Sequence, residues 1–112
     1  MRAAHSEARL VVERGSAEAG SELRVALLLK PDPGWHVYWK NAGDSGEAPI
    51  LKWRSLGLEV GAPSYPVPGR LPVGPLMNYG YAEETPLLLP ARVAIGARGE
   101  ARSELDAEWL VC

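Results

Sequence analysis

Ser21-Glu22-Leu23-Arg24-Val25-Ala26-Leu27-Leu28-Leu29-Lys30 alternates apolar and polar side chains with a period close to two. That period places Leu23, Val25, Leu27 and Leu29 on one face of an extended strand, with Glu22, Arg24 and Lys30 on the other. Leu28 interrupts the polar face, so that face is expected to be partly covered. Pro31-Asp32-Pro33-Gly34 follows at once and reads as a tight turn, because proline fixes φ and glycine admits positive φ.

The same grammar repeats on both sides. Ala8 to Arg14 is a β-prone run ended by Gly15-Ser16. Trp35-His36-Val37-Tyr38-Trp39 alternates, with Trp35, Val37 and Trp39 expected in the core and His36 and Tyr38 on the exposed face. Asn41 to Pro49 reads as an irregular loop, and Ile50 to Arg54 as a short strand with Leu51 and Trp53 inward. Leu58 to Pro75 carries five prolines, which a central strand does not accept, so it is expected at an edge or in an extended loop. Leu76 to Tyr81 reads as an ordered apolar-aromatic loop. Pro86 to Ile95 alternates again, with Leu87, Leu89, Ala91, Val93 and Ile95 on one side. Ala101 to Cys112 is the last strand, with Leu105, Ala107, Trp109 and Val111 on one face and Leu110 and Cys112 on the other. No stretch sustains a helical period.

About seven short strands with turn signals between them predict one all-β domain over residues 1–112, an immunoglobulin-like antiparallel β-sandwich. Phenylalanine is absent, so 4 Trp and 4 Tyr supply the large aromatic packing. A net charge of -2 with no Lys/Arg cluster argues against nucleic acid as a partner. No apolar run approaches the length of about 20 residues that crosses a bilayer. The sequence stops on Cys112 inside what reads as a strand, so the domain is expected to be truncated at its C-terminus.

Chemistry is sparse. Cys112 is the single cysteine, and a lone cysteine is commonly an inert packing residue. The functional alternative is a thiolate that attacks a disulfide. His36 could lower the thiol pKa or shuttle a proton if it lies nearby, although a lone strand histidine is more often a surface residue. Tyr38 could donate a hydrogen bond to the thiolate; a half-buried packing tyrosine is the simpler account. Met77, His36, His5 and Cys112 include soft ligands suited to Cu(I), but their spacing matches no ligand motif, so no metal is expected. Asp44-Ser45-Gly46 with His36 resembles no nucleophile elbow, and turn chemistry explains Ser45. The scattered carboxylates form no glycosidase pair, and the core-facing parity of Trp35, Trp39 and Trp53 suits packing rather than sugar binding.

Three segments together carry a resemblance: Gly34-Trp35-His36-Val37-Tyr38-Trp39-Lys40-Asn41-Ala42-Gly43-Asp44-Ser45-Gly46, then Val73-Gly74-Pro75-Leu76-Met77-Asn78-Tyr79-Gly80-Tyr81, then Trp109-Leu110-Val111-Cys112. The chain resembles the N-terminal periplasmic domain of DsbD-type thiol:disulfide interchange proteins, in particular the ScsB-like branch associated with suppression of copper sensitivity. The resemblance implies an immunoglobulin-like fold and protein-to-protein thiol–disulfide exchange without a small cofactor. It implies electrons received from a membrane-embedded redox domain of the parent protein and passed to periplasmic thioredoxin-fold proteins. It places the chain in the periplasm, as a soluble domain of an inner-membrane protein. Cys112 matches the first of two reactive cysteines, the second following a few residues later. His36 and Tyr38 match the strand that flanks the thiol, and Leu76, Met77, Asn78, Tyr79 and Gly80 match a cap loop, with Met77 or Tyr79 as the shield. The alternatives are a non-catalytic immunoglobulin-like interaction module in which Cys112 only packs, and a copper-binding domain.

Overall fold

The computed structural model describes residues 1–112, and every regular element in it is a β-strand. Five strands form one antiparallel sheet: β1 (Arg2–Ala3), β2 (Ser6–Val12), β3 (Glu22–Pro31), β9 (Thr85–Val93) and β6 (Leu58–Val60), in that spatial order. Opposite it lie a three-stranded sheet, β4 (Val37–Gly43), β8 (Leu76–Tyr81) and β7 (Gly69–Val73), and a pair, β10 (Arg102–Glu108) with β5 (Ile50–Leu56). The layers form an immunoglobulin-like sandwich, as the alternation predicts.

The centre of the core is the β3–β9 pairing. Val25 faces Leu89 and Leu27 faces Leu87 across the ladder. These four side chains and Leu29 are all nearly inaccessible to solvent. From the other layer, Val37 and Tyr81 enter the core, while Trp39, Leu51, Trp53, Leu105, Trp109 and Val111 pack on its rim. Such apolar cross-strand pairs fix the register, because a one-residue slip would turn every leucine of β3 outward.

Proline placement follows the hydrogen-bond ladder. The Leu88 N–H bonds Ser64 and the Pro90 carbonyl accepts from Gly61, so even-numbered residues of β9 face the β6 side. Pro86 and Pro90 therefore lack N–H groups only on the edge where β6 is short. β6 and β7, drawn from the proline-rich stretch, are both edge strands as expected.

Several expectations fail. Ten strands form rather than seven. Leu76 to Gly80 is not a loop: it belongs to β8, the central strand of its sheet, paired to β7 and to β4. Its period-two alternation was masked by Gly80, whose small size is required there. A Cβ at Gly80 would fall inside contact distance of the Val37 carbonyl oxygen and the Tyr38 Cα. Ile95 lies beyond the end of β9 and is 89% exposed rather than in the core. β4 begins at Val37, so Trp35 precedes it and stacks on the His5 ring, with centroids 3.7 Å apart and planes 4° from parallel. Tyr38 is buried at 3% exposure, not on an open face.

Gly80→Ala should cost about 1–3 kcal/mol by overpacking β4 against β8. Gly15→Ala, where nothing lies within 4 Å of the added methyl, should stay within about 0.5 kcal/mol of the parent. Urea unfolding of the two variants checks this; equal stabilities would refute the close approach of the strands.

Candidate thiol site

After β10 the chain leaves β5 and crosses to the start of β4. Two contacts fix that course. The Trp109 indole N–H donates to the Ser6 hydroxyl at 2.9 Å, and Ser6, fully buried, donates in turn to the Ala4 carbonyl. Three residues on, His36 and Cys112 exchange both backbone hydrogen bonds. The His36 N–H donates to the Cys112 carbonyl at 2.7 Å, and the Cys112 N–H donates back at 3.1 Å. Residues paired this way project their side chains to the same side of the ladder. His36 Nδ1 also lies 3.3 Å from the Cys112 carbonyl oxygen, placed to donate when that nitrogen carries the proton.

Tyr38, two residues along from His36, shares that side. Its phenol is pushed up to about 12, first by burial, then by a side-chain hydrogen bond and a charge interaction with Cys112. Burial disfavours the phenolate, and a phenol that donates toward sulfur holds its proton more tightly. The thiol itself is exposed. The structure thus brings Cys112, His36 and Tyr38 together.

The cap segment divides between two faces. Tyr38 lies opposite Gly80, and Val37 opposite Tyr81. Strand alternation then puts Asn78 and Gly80 on the Tyr38 side, Met77 and Tyr79 on the other. Tyr79 meets Trp39 edge to face at 6.3 Å, on the core side. Neither Met77 nor Tyr79 is positioned to shield the thiol.

What covers Tyr38 is the loop after β4. Its register shifts between Tyr38 and Gly43, a bulge that swings the following residues back over the strand. Gly46 rests on the Tyr38 ring so closely that a Cβ there would overlap the ring carbons and crowd Ala42. The loop is held down by β8. The Met77 N–H donates to the Asp44 carboxylate at 2.8 Å, the Asp44 N–H donates to the Met77 carbonyl at 3.1 Å, and Asn78 bonds Ser45. Asp44, Ser45 and Gly46 border Tyr38, a placement that the sequence reading, which gave Ser45 to turn chemistry, did not anticipate. The available signal was short polar side chains beside glycine, which serve a tertiary anchor as readily as a local turn.

The family model described as "Thiol:disulfide interchange protein DsbD, N-terminal" matches residues 7–112. The chain belongs to that family. Among solved structures, its fold is similar to the N-terminal periplasmic domain of ScsB from Proteus mirabilis, with a TM-score of 0.68 at 20% identity. The similarity covers 96% of this chain and 40% of that one, so this chain spans well under half of the ScsB domain's length. No match was found among curated proteins. Membership of the DsbD N-terminal family makes this a thiol:disulfide interchange domain, and no helix of the chain is long and apolar enough to cross a membrane.

The buried phenols set a pH dependence. Tyr38 and Tyr81 both ionise only near pH 12, against about 10 in an unfolded chain. Tyr81 is held up by burial and then by its neighbour Tyr65, while its hydroxyl donates to the Pro66 carbonyl at 2.7 Å. In both cases the folded state holds the proton longer. Their contribution to stability is therefore complete below about pH 10 and lost as pH rises through about 12. Alkaline absorbance titration should show late ionisation from Tyr38 and Tyr81, with Tyr65 also delayed by burial, and one late phenol should disappear in Tyr38→Phe. A Tyr38→Phe protein with an unchanged late phase would overturn the assignment.

Proposed function

We propose that the domain exchanges thiols and disulfides through Cys112, relaying electrons from a membrane-embedded redox domain of its parent protein to oxidised thioredoxin-fold partners in the periplasm. The observation that supports this reading is the reciprocal backbone pair between His36 and Cys112, which holds an exposed thiol at a fixed place beside the Tyr38 phenol.

The chemistry is a two-electron exchange. The Cys112 thiol loses its proton, and the thiolate attacks one sulfur of the partner's disulfide. A new S–S bond forms as the old one breaks, and the second partner sulfur leaves as a thiolate that takes up a proton. A second thiol, proposed to follow position 112 in the parent protein, then attacks Cys112, closes an intramolecular disulfide and releases the reduced partner. His36 and Tyr38 shape the thiol's surroundings. Leu76 to Gly80 takes part as a strand paired on both edges, with Asn78 and Gly80 on the Tyr38 side.

With one cysteine, this chain should stop at the mixed disulfide. Incubating it reduced with an oxidised thioredoxin-fold protein, quenching with an alkylating agent and weighing the products should give a covalent adduct that Cys112→Ser abolishes. If Cys112 stays reduced, or becomes alkylated only after denaturation, the domain is an interaction module without redox chemistry.

A further inference from the structure

One polar side chain near the thiol is left unexplained by the exchange chemistry. Asn78 is 1% exposed, in the middle of β8, on the face it shares with Gly80 and Tyr38. A buried carboxamide costs free energy unless both its ends are bonded, and these are. Its Oδ1 accepts the Ser45 N–H at 2.8 Å, and its Nδ2 donates to the Ser45 hydroxyl at 2.8 Å. No side chain of the thiol group hydrogen-bonds Asn78. Both of its side-chain hydrogen bonds go to the loop whose next residue, Gly46, rests against the Tyr38 ring.

We propose that Asn78 is a positioning residue for the thiol site: by gripping Ser45 at both ends of its carboxamide it seats Gly46 on Tyr38 and so fixes the Tyr38 phenol beside Cys112. The loop of residues 44–46, rather than residues 76–80, is then the movable part. Its side chains are short, Asp44 and Ser45 are exposed, and its grip on β8 comes from a handful of hydrogen bonds at the strand's solvent-side face. The β8 strand is paired on both edges and stays put. A partner that displaces Ser45 would free Gly46, let water reach the phenol and change the hydrogen bonding of the thiol. The geometry is independent of the redox reading; its regulatory meaning rests on it.

Three substitutions test the latch. Asn78→Ala removes both bonds to Ser45. Gly46→Ala pushes the loop off the Tyr38 ring without touching Asn78. Tyr38→Phe removes the phenol itself. In Asn78→Ala and Gly46→Ala, Tyr38 should ionise about one pH unit or more below its value in the parent, because the ring loses its cover. The rate at which Cys112 reacts with a small aromatic disulfide should change by about threefold or more, in the same direction in all three. Asn78→Ala combined with Tyr38→Phe should change it no further than Tyr38→Phe alone, since one phenol carries the effect.

Leu58→Ala, a destabilising change in β6 far from the loop, should leave both readouts at parent values, which separates positioning from general loosening. If folded Asn78→Ala and Gly46→Ala proteins retain the late Tyr38 ionisation and the parent rate, the latch is refuted. Should Asn78→Ala fail to fold, Gly46→Ala decides alone. If the latch effects appear but the parent forms no mixed disulfide with a thioredoxin-fold protein, the latch stands and the exchange reading fails.

Discussion

The reciprocal pair of backbone hydrogen bonds between His36 and Cys112 is the constraint on which the site depends. It joins the turn ahead of β4 to the end of the chain across 76 residues of sequence. Each bond contributes on the order of 1 kcal/mol net, yet together they decide which side of the ladder the thiol occupies. The Trp109–Ser6 bond sets the approach, since it ties the segment to the opposite sheet three residues earlier. Cys112 is therefore held from both layers of the sandwich, although it lies in no regular strand.

Tyr38 shows how a second buried zone arises outside the main core. Val37 goes into the sandwich, and its neighbour Tyr38 points the other way, where a simple sandwich would meet solvent. The bulge in β4 and the loop behind it supply a cover. A tyrosine in that position keeps its proton up to about pH 12. The Tyr38 phenol interacts with the thiol, while the His36 main chain and imidazole hold the Cys112 backbone.

Kinship to the DsbD N-terminal family extends over nearly the entire chain, whereas identity to the ScsB domain is only 20% at a TM-score of 0.68. A sandwich tolerates such divergence because its architecture requires alternation and turns rather than particular residues. The site is more exacting. Where the resemblance suggests a mobile cap, this chain has a strand with an amide anchored beneath a polar loop, so a shared fold does not fix how access to the thiol is controlled.

Much of this molecule is settled by its sequence. Period-two alternation in residues 21–30 and 86–93 forces two half-buried strands, and their leucines form the centre of the core. Five prolines confine residues 58–75 to edges, because so many missing N–H groups would break a doubly paired ladder, whereas β9 carries Pro86 and Pro90 only on the side where β6 is short. The concurrence of the tryptophan, tyrosine and terminal cysteine segments marks the family. Three matters were decided only in three dimensions. Residues 76–81 are a strand because β4 and β7 flank them, and glycine at 80 conceals that locally. Tyr38 is buried because a bulge between Tyr38 and Gly43 folds the chain back over it, and bulges leave no periodic trace. His36, Tyr38 and Cys112 meet because backbone pairing across the fold brings them together; hydrogen bonds between main-chain groups are blind to side-chain identity, so no residue pattern announces them.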